Sequence, residues 1–234
     1  APRARRCTAA VALLAALVAL GAPPRATAQE AGGDGEVDIQ ALEATTEVVL
    51  AHVETGDPQL DEVAQAGLRG LSDTLFRRTS IEPAEPISVN LETDEIAFFP
   101  FLYWPVSPNQ PMPSDEAYAK LNRYLRTGGM ILFDTRDADI GGFGASTPEG
   151  RKLQELAAPL DIPPLGPIPQ DHVLTRTFYL LQDFPGRWAS RDVWVEAAPP
   201  DAEVIEGMPF RNLNDGVTPV VIGGNDWASA WAVE

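Results

Sequence analysis

The chain has 234 residues, 17 Lys and Arg against 34 Asp and Glu, 44% apolar residues, 22 Pro, 19 Gly and one Cys, enough for one sizeable core plus a short leader. From Glu30 onward 13 basic side chains face 34 acidic ones, a net of −21, which argues against nucleic-acid binding by a basic face. The lone Cys7 sits in the leader, so the body has no intrachain disulfide, Cys-rich zinc site or thiol nucleophile to offer.

Residues 1–28 read as an export or anchoring segment. Arg3, Arg5 and Arg6 precede an apolar run from Cys7 to Ala22, and Ala26-Thr27-Ala28 supplies small residues at a cleavage position. At about 1.5 Å per residue the run spans roughly 24 Å, short of a hydrocarbon core of about 30 Å, which favours a cleaved signal. The chain opens on Ala rather than Met, so an internal transmembrane helix through residues 7–22 is the alternative. Either way the arginines stay cytoplasmic and the body lies beyond the inner membrane, in the periplasm or secreted. Residues 29–38, with Gly32, Gly33 and Gly35, form a polar linker, and the domain runs over 39–234.

The first element of the domain is a strand within Thr46–Thr55, built on Val48-Val49-Leu50-Ala51, with a helix from Ile39 as the competing reading. Asp57-Pro58 then supplies an N-cap and a first-turn proline. The helix that follows carries Leu60, Val63, Gly67, Leu71 and Leu75 on one stripe and ends at Arg77-Arg78. After a Pro-punctuated stretch, Ile96 to Phe99 predicts a buried strand ending near Pro100, with the aromatics Phe101, Tyr103 and Trp104 continuing into a loop. Ser114 opens a second helix closed by Gly128-Gly129, and the apolar strand Met130–Phe133 follows at once. This strand-helix-strand rhythm belongs to a parallel sheet covered on both faces.

A glycine-rich loop, Gly141-Gly142-Phe143-Gly144, precedes a third helix from Thr147-Pro148. Pro159 to Pro169 predicts an extended connection. Phe178–Leu181, Val193–Val195, Val220–Ile222 and Ala228–Val233 read as short strands. The apolar run reaching Glu234 suggests a domain that continues past it.

Three segments carry a resemblance: Gly128-Gly129-Met130-Ile131-Leu132-Phe133-Asp134-Thr135-Arg136-Asp137, His172 to Leu181, and Asn225-Asp226-Trp227-Ala228-Ser229-Ala230-Trp231-Ala232. Together they resemble the bacterial domain-of-unknown-function family 4159. The resemblance implies an α/β fold of three layers around an open, mostly parallel, flavodoxin-like sheet similar to class I glutamine amidotransferases. It also implies a place at the C-terminal end of larger inner-membrane proteins, and it implies no known activity. Where an amidotransferase carries its cysteine elbow this chain has Phe133-Asp134-Thr135-Arg136, so a glutaminase step is ruled out.

Ligands of open α/β sheets bind beyond the carboxyl ends of the strands, and Asp134, Thr135, Arg136 and Asp137 fall at such an end. They can orient a hydroxyl, bind a cation together with Asp139, or anchor the loop by pairing Arg136 with a carboxylate. Asn225, Asp226 and Trp227 follow another apolar strand, which lets Asp226 approach Asp134. Trp227, Tyr103 and Trp104 read as packed aromatics or as a stacking surface. His172 beside Asp171 is the candidate base, and His52 reads as a core residue. No cofactor motif occurs, and two histidines without a body cysteine make no zinc cluster, so neither cofactor nor metal is expected. Ser107 and Ser146 have no Gly-x-Ser-x-Gly context, and the glycine loop lacks the Lys of a phosphate cradle. The reading is a non-catalytic binding or interaction module with a protein partner at the membrane. The rival is a hydrolase or isomerase acting on a carbohydrate through Asp134 or Asp226 with His172, and a hard-cation sensor using Asp134, Asp137 and Asp226 is a third form.

Overall fold

The computed structural model describes residues 47–140, 147–176, 180–197 and 218–232, all within the unit spanning residues 37–234. The apolar run 7–22, the linker 29–38, the glycine loop 141–144 and the first half of the expected strand at 178–181 lie outside the described residues, and Leu180 and Leu181 of that segment are not strand. Among those described, no helix is long and apolar enough to cross a membrane.

The elements in chain order are β1 (Ala51–Val53), α1 (Pro58–Arg78), β2 (Ile87–Val89), β3 (Phe101–Pro105), α2 (Asp115–Arg126), β4 (Met130–Asp134), α3 (Pro148–Ala157), β5 (Leu165–Pro167), α4 (Val173–Arg176), β6 (Trp194–Glu196), β7 (Val220–Gly223) and α5 (Trp227–Trp231). The strands form one sheet in the order β2-β1-β3-β4-β7-β6-β5. Its first five strands are parallel, and β6 and β5 extend it antiparallel. Side chains alternate between the two faces as the strand period of two requires. Leu102, Trp104, Ile131, Phe133, Val220 and Ile222 meet α2 and α3 on one face. Leu50, Tyr103 and Val221 meet α1 and α5 on the other. The molecule is therefore an α/β fold of three layers around a mostly parallel sheet.

The helix starts follow their sequence signals. Asp57 accepts from Gln59 N and Leu60 N, Ser114 from Ala117 N, and Thr147 from Gly150 N, each satisfying donors a first turn leaves open. Gly128, at φ 100°, turns the chain out of α2 in a conformation that costs glycine little. At Gly67 of α1 a Cβ would lie 2.5 Å from Ala228 O, so this position lets the helix seat directly on α5.

Three expectations are corrected. The third strand is Phe101–Pro105, not Ile96–Phe99, and Tyr103 and Trp104 belong to the core rather than a loop. Pro105 is tolerated because Val106 N bonds Asp134 O on β4; alternation turns the position of Pro105's missing N–H toward β1, which has already ended at Val53. The described part of Ala228–Val233 is not strand: Trp227–Trp231 is a helix, because the αL residue Asp226 (φ 54°) turns the chain and the Asp134 carboxylate caps Trp227 N. Leu165–Pro167, expected as part of an extended connection, pairs with β6 as the sheet edge. Strand β2 falls inside the Pro-punctuated stretch, where the sequence gives no alternation to read.

Candidate functional site

Two places at the carboxyl edge of this sheet bring polar residues together. The first is at the ends of β4 and β7, where the sequence placed its acidic candidates. Asp134 ends β4 with no exposed surface. Its Oδ2 accepts from Tyr103 OH at 2.8 Å and Trp227 N at 2.7 Å. Its Oδ1 accepts from Arg136 N at 3.0 Å and Asp226 N at 3.2 Å. Four donors use the acceptor capacity of a carboxylate, so nothing is left to meet a ligand. Burial pushes the carboxyl up to about 6, against the downward pull of those four bonds, Tyr103 foremost. Burial, with the Asp134 charge beside it, also pushes Tyr103 well above the tyrosine range, so its hydroxyl stays a donor.

The neighbouring acids are also engaged. Asp137 accepts the hydroxyls of Thr135 and Thr147, the latter at 2.6 Å. That ties the end of β4 to the start of α3. A Cβ at Gly224 would lie 2.6 Å from Asp137 Oδ1, so glycine is what fits beside it. Asp226 does reach Asp134, as expected, but through its backbone N–H. Its side chain accepts from Ser229 Oγ at 2.7 Å and faces the exposed Arg187 guanidinium at 3.5 Å. Asn225 is fully buried and clamps the loop before β6, donating from Nδ2 to Phe184 O, Trp188 O and Ser190 O. Trp227 is core, packed between α1 and the sheet.

Arg136 departs from its expected pairing. It sits at φ 58° just beyond β4 and donates from Nη2 to Val106 O at 3.0 Å, bridging the ends of β3 and β4 through a backbone carbonyl. It makes no ion pair with a carboxylate among the described residues. His172 is buried, its Nδ1 accepts from Leu174 N at 3.2 Å, and burial lowers its pKa. Its role is to start α4, and none of its hydrogen bonds reaches Asp134, Asp137 or Asp226. Among the described residues, no three His, Cys, Asp or Glu side chains are grouped to hold a metal. His52 is core, with Nε2 3.1 Å from Gln65 Oε1.

The second place went unread in the sequence. In the strand order 2-1-3-4 the connections reverse direction between β1 and β3, which is where open α/β sheets leave a crevice. A cavity of about 280 Å³ lies there. Its walls come from the residues after β1 (Glu54, Gly56), after β2 (Asn90, Leu91, Glu92) and after β3 (Gln110, Pro111, Met112, Pro113), with Val53 and Trp104 from the strands themselves. Trp104 is 1% exposed, packs on Phe133 at 5.1 Å between ring centroids, and its Nε1–H has no partner. Gln110 is fixed by accepting Ser107 N on Oε1 at 3.1 Å. Glu92 spends both oxygens on Ser114, which lowers its pKa. The carboxylate of Glu54 makes no hydrogen bond or ion pair among the described residues.

The sequence model of the family described as Domain of unknown function (DUF4159) matches residues 49–234, which takes in every strand and helix given above. No curated protein matches the chain significantly.

Proposed function

Because the chain belongs to this family of unknown function, DUF4159, we propose from its geometry that it is a non-catalytic binding or interaction module: an amidotransferase-like α/β domain without the nucleophile, exported or membrane-anchored by its leader. The observation that carries this reading is Asp134. The residue best placed for chemistry after β4 is fully buried and saturated by four internal donors, so it builds the fold rather than acting on a substrate. The parallel order β2-β1-β3-β4-β7 and the positive-φ residue Arg136 beyond β4 support the amidotransferase-like comparison. The arginines and apolar run of residues 1–28 support a location beyond the inner membrane, as a periplasmic or secreted domain or one held through residues 7–22.

A carboxylate-dependent enzyme has one observation in its favour, the Asp134 carboxyl at about 6, a value suited to acid-base work. Its lack of exposed surface weighs against that role. The test is a thermal-shift screen of the chain against sugars, divalent cations and cell-wall fragments, with Asp134→Asn and Glu54→Gln variants, beside a turnover assay on chromogenic glycosides. The binding module predicts no turnover and a ligand shift kept in Asp134→Asn but lost in Glu54→Gln. Turnover abolished by Asp134→Asn in a cooperatively melting protein refutes the module and restores the enzyme.

A further inference from the structure

We propose that the cavity between β1 and β3 binds a small hydroxylated primary amine, of the size and chemistry of an amino sugar. The inference rests on the binding-module reading and adds the ligand class to it.

The wall dictates the complement. Two of its side chains are acidic, Glu54 and Glu92, and none is basic. Lys120 Nζ, which donates to Leu91 O, and Lys152 Nζ, 3.5 Å from Met112 Sδ and paired with Glu155, adjoin the wall and offset part of its charge. The preference for a cation therefore rests on the unpaired Glu54. A metal ion is a poor match, since hard cations need several converging oxygens and the described residues hold no such group. An ammonium group needs fewer acceptors. Glu92 accepts two donors from Ser114 and keeps part of its acceptor capacity, whereas Glu54, unbonded at the end of β1, keeps all of it and is the main counter-charge.

The uncharged polar side chains of the wall have donors to spare. Gln110 Oε1 accepts from Ser107 N, so its NH₂ end is the one left for a ligand. Asn90 Oδ1 accepts from Glu92 N at 2.9 Å, which leaves its NH₂ in the same state. Trp104 contributes its ring to the wall, and its unpartnered Nε1–H has no exposed surface through which a ligand could reach it. Two carboxylates with acceptor capacity and two neutral amide donors match one ammonium and several hydroxyl oxygens. Leu91, Pro111, Met112 and Pro113 supply apolar wall for the C–H face of a ring, and about 280 Å³ suits a single sugar ring.

The test is calorimetric titration of the whole chain with D-glucosamine, D-glucose and N-acetyl-D-glucosamine, repeated on Glu54→Gln and on Met112→Lys, which sets a cation at the rim on an exposed residue. We expect glucosamine to bind at least about tenfold more tightly than the two uncharged sugars, the worth of one charged hydrogen bond. Both variants lose that advantage while melting as the parent does. Equal binding of glucose and glucosamine, or full glucosamine affinity in Glu54→Gln, overturns the amine assignment. If no sugar binds but another compound gives a Glu54-dependent shift in the wider screen, the ligand class falls and the binding module stands. If no compound gives such a shift, the small-ligand assignment falls and a module that binds a protein partner stands; turnover abolished by Asp134→Asn is what refutes the module itself.

Discussion

The two ends of one sheet edge use the same residue types for opposite purposes. At β4 and β7, Asp134, Asp137 and Asp226 are buried and accept from neighbouring backbone and hydroxyl groups, and Asn225 donates to three loop carbonyls, so polar chemistry there holds loops and a helix start in place. At β1 and β3, Glu54 and the NH₂ ends of Asn90 and Gln110 line a cavity with capacity to spare. A polar residue at a strand end marks a site only when the fold leaves it partners to find.

The sharpest way to break the comparison is Asp134→Ala. Tyr103 OH and the N–H groups of Arg136, Asp226 and Trp227 lose their common acceptor. At about 1–3 kcal/mol for each orphaned buried group, partly relieved by water, the expected loss is about 3–5 kcal/mol. In a domain of this size that lowers the melting temperature by about 10 °C in calorimetry. A loss under about 1 kcal/mol refutes the scaffold role.

Gly67→Ala tests the same region from the helix layer. The added methyl meets Ala228 O, a backbone atom that cannot swing aside, so α1 must lift from α5. Overpacking of this kind costs about 2–3 kcal/mol, readable as a lowered urea midpoint with the slope unchanged.

A pH series separates Asp134's charge from its shape. Its carboxyl rises on folding from 3.8 to about 6. Its contribution is therefore full below the unfolded value and lost as pH climbs through about 6. His52 and His172 are lowered by burial and act oppositely, losing their contribution as pH falls. Measuring the parent against Asp134→Asn cancels the histidines. The parent gains about 1–2 kcal/mol on the variant between about pH 7.5 and about pH 5. A difference that stays constant with pH excludes a raised Asp134.

Thr147→Ala is a smaller perturbation. It removes the cap of α3 and one of the two hydroxyl donors to Asp137, at a cost of about 1 kcal/mol by chemical denaturation.

The sequence legibly marked what short-range chemistry controls. Asp57-Pro58, Ser114 and Thr147-Pro148 each open a helix as their side chains demand, and Met130–Phe133 is a strand of the parallel sheet. Phe101–Pro105 reads as loop because Pro100 and Pro105, which bracket it, cannot donate to a ladder, whereas the tolerance of Pro105 depends on where the neighbouring β1 stops. Ala228–Val233 reads as strand from its apolar content, yet Trp227–Trp231 is a helix whose start is capped by Asp134, which lies 93 residues before Trp227 in the chain. The cavity draws on three loops far apart in sequence, joined only by the order β2-β1-β3. The local signal available for it is Trp104 at the strand end, with Gln110-Pro111-Met112-Pro113 beginning six residues on.

The smallest expected effect on stability is the most informative about function. Glu54→Gln alters an exposed side chain with no hydrogen bond or ion pair among the described residues, so the melting temperature should stay within the equivalent of about 0.5 kcal/mol. A larger loss would mean that Glu54, like Asp134, is spent on the fold. The two edges of the sheet would then be alike, and the cavity's acceptor would have to be sought elsewhere. An unchanged melting curve together with a lost ligand shift separates the edges, because only a residue held in reserve by the fold can be removed at no cost to it.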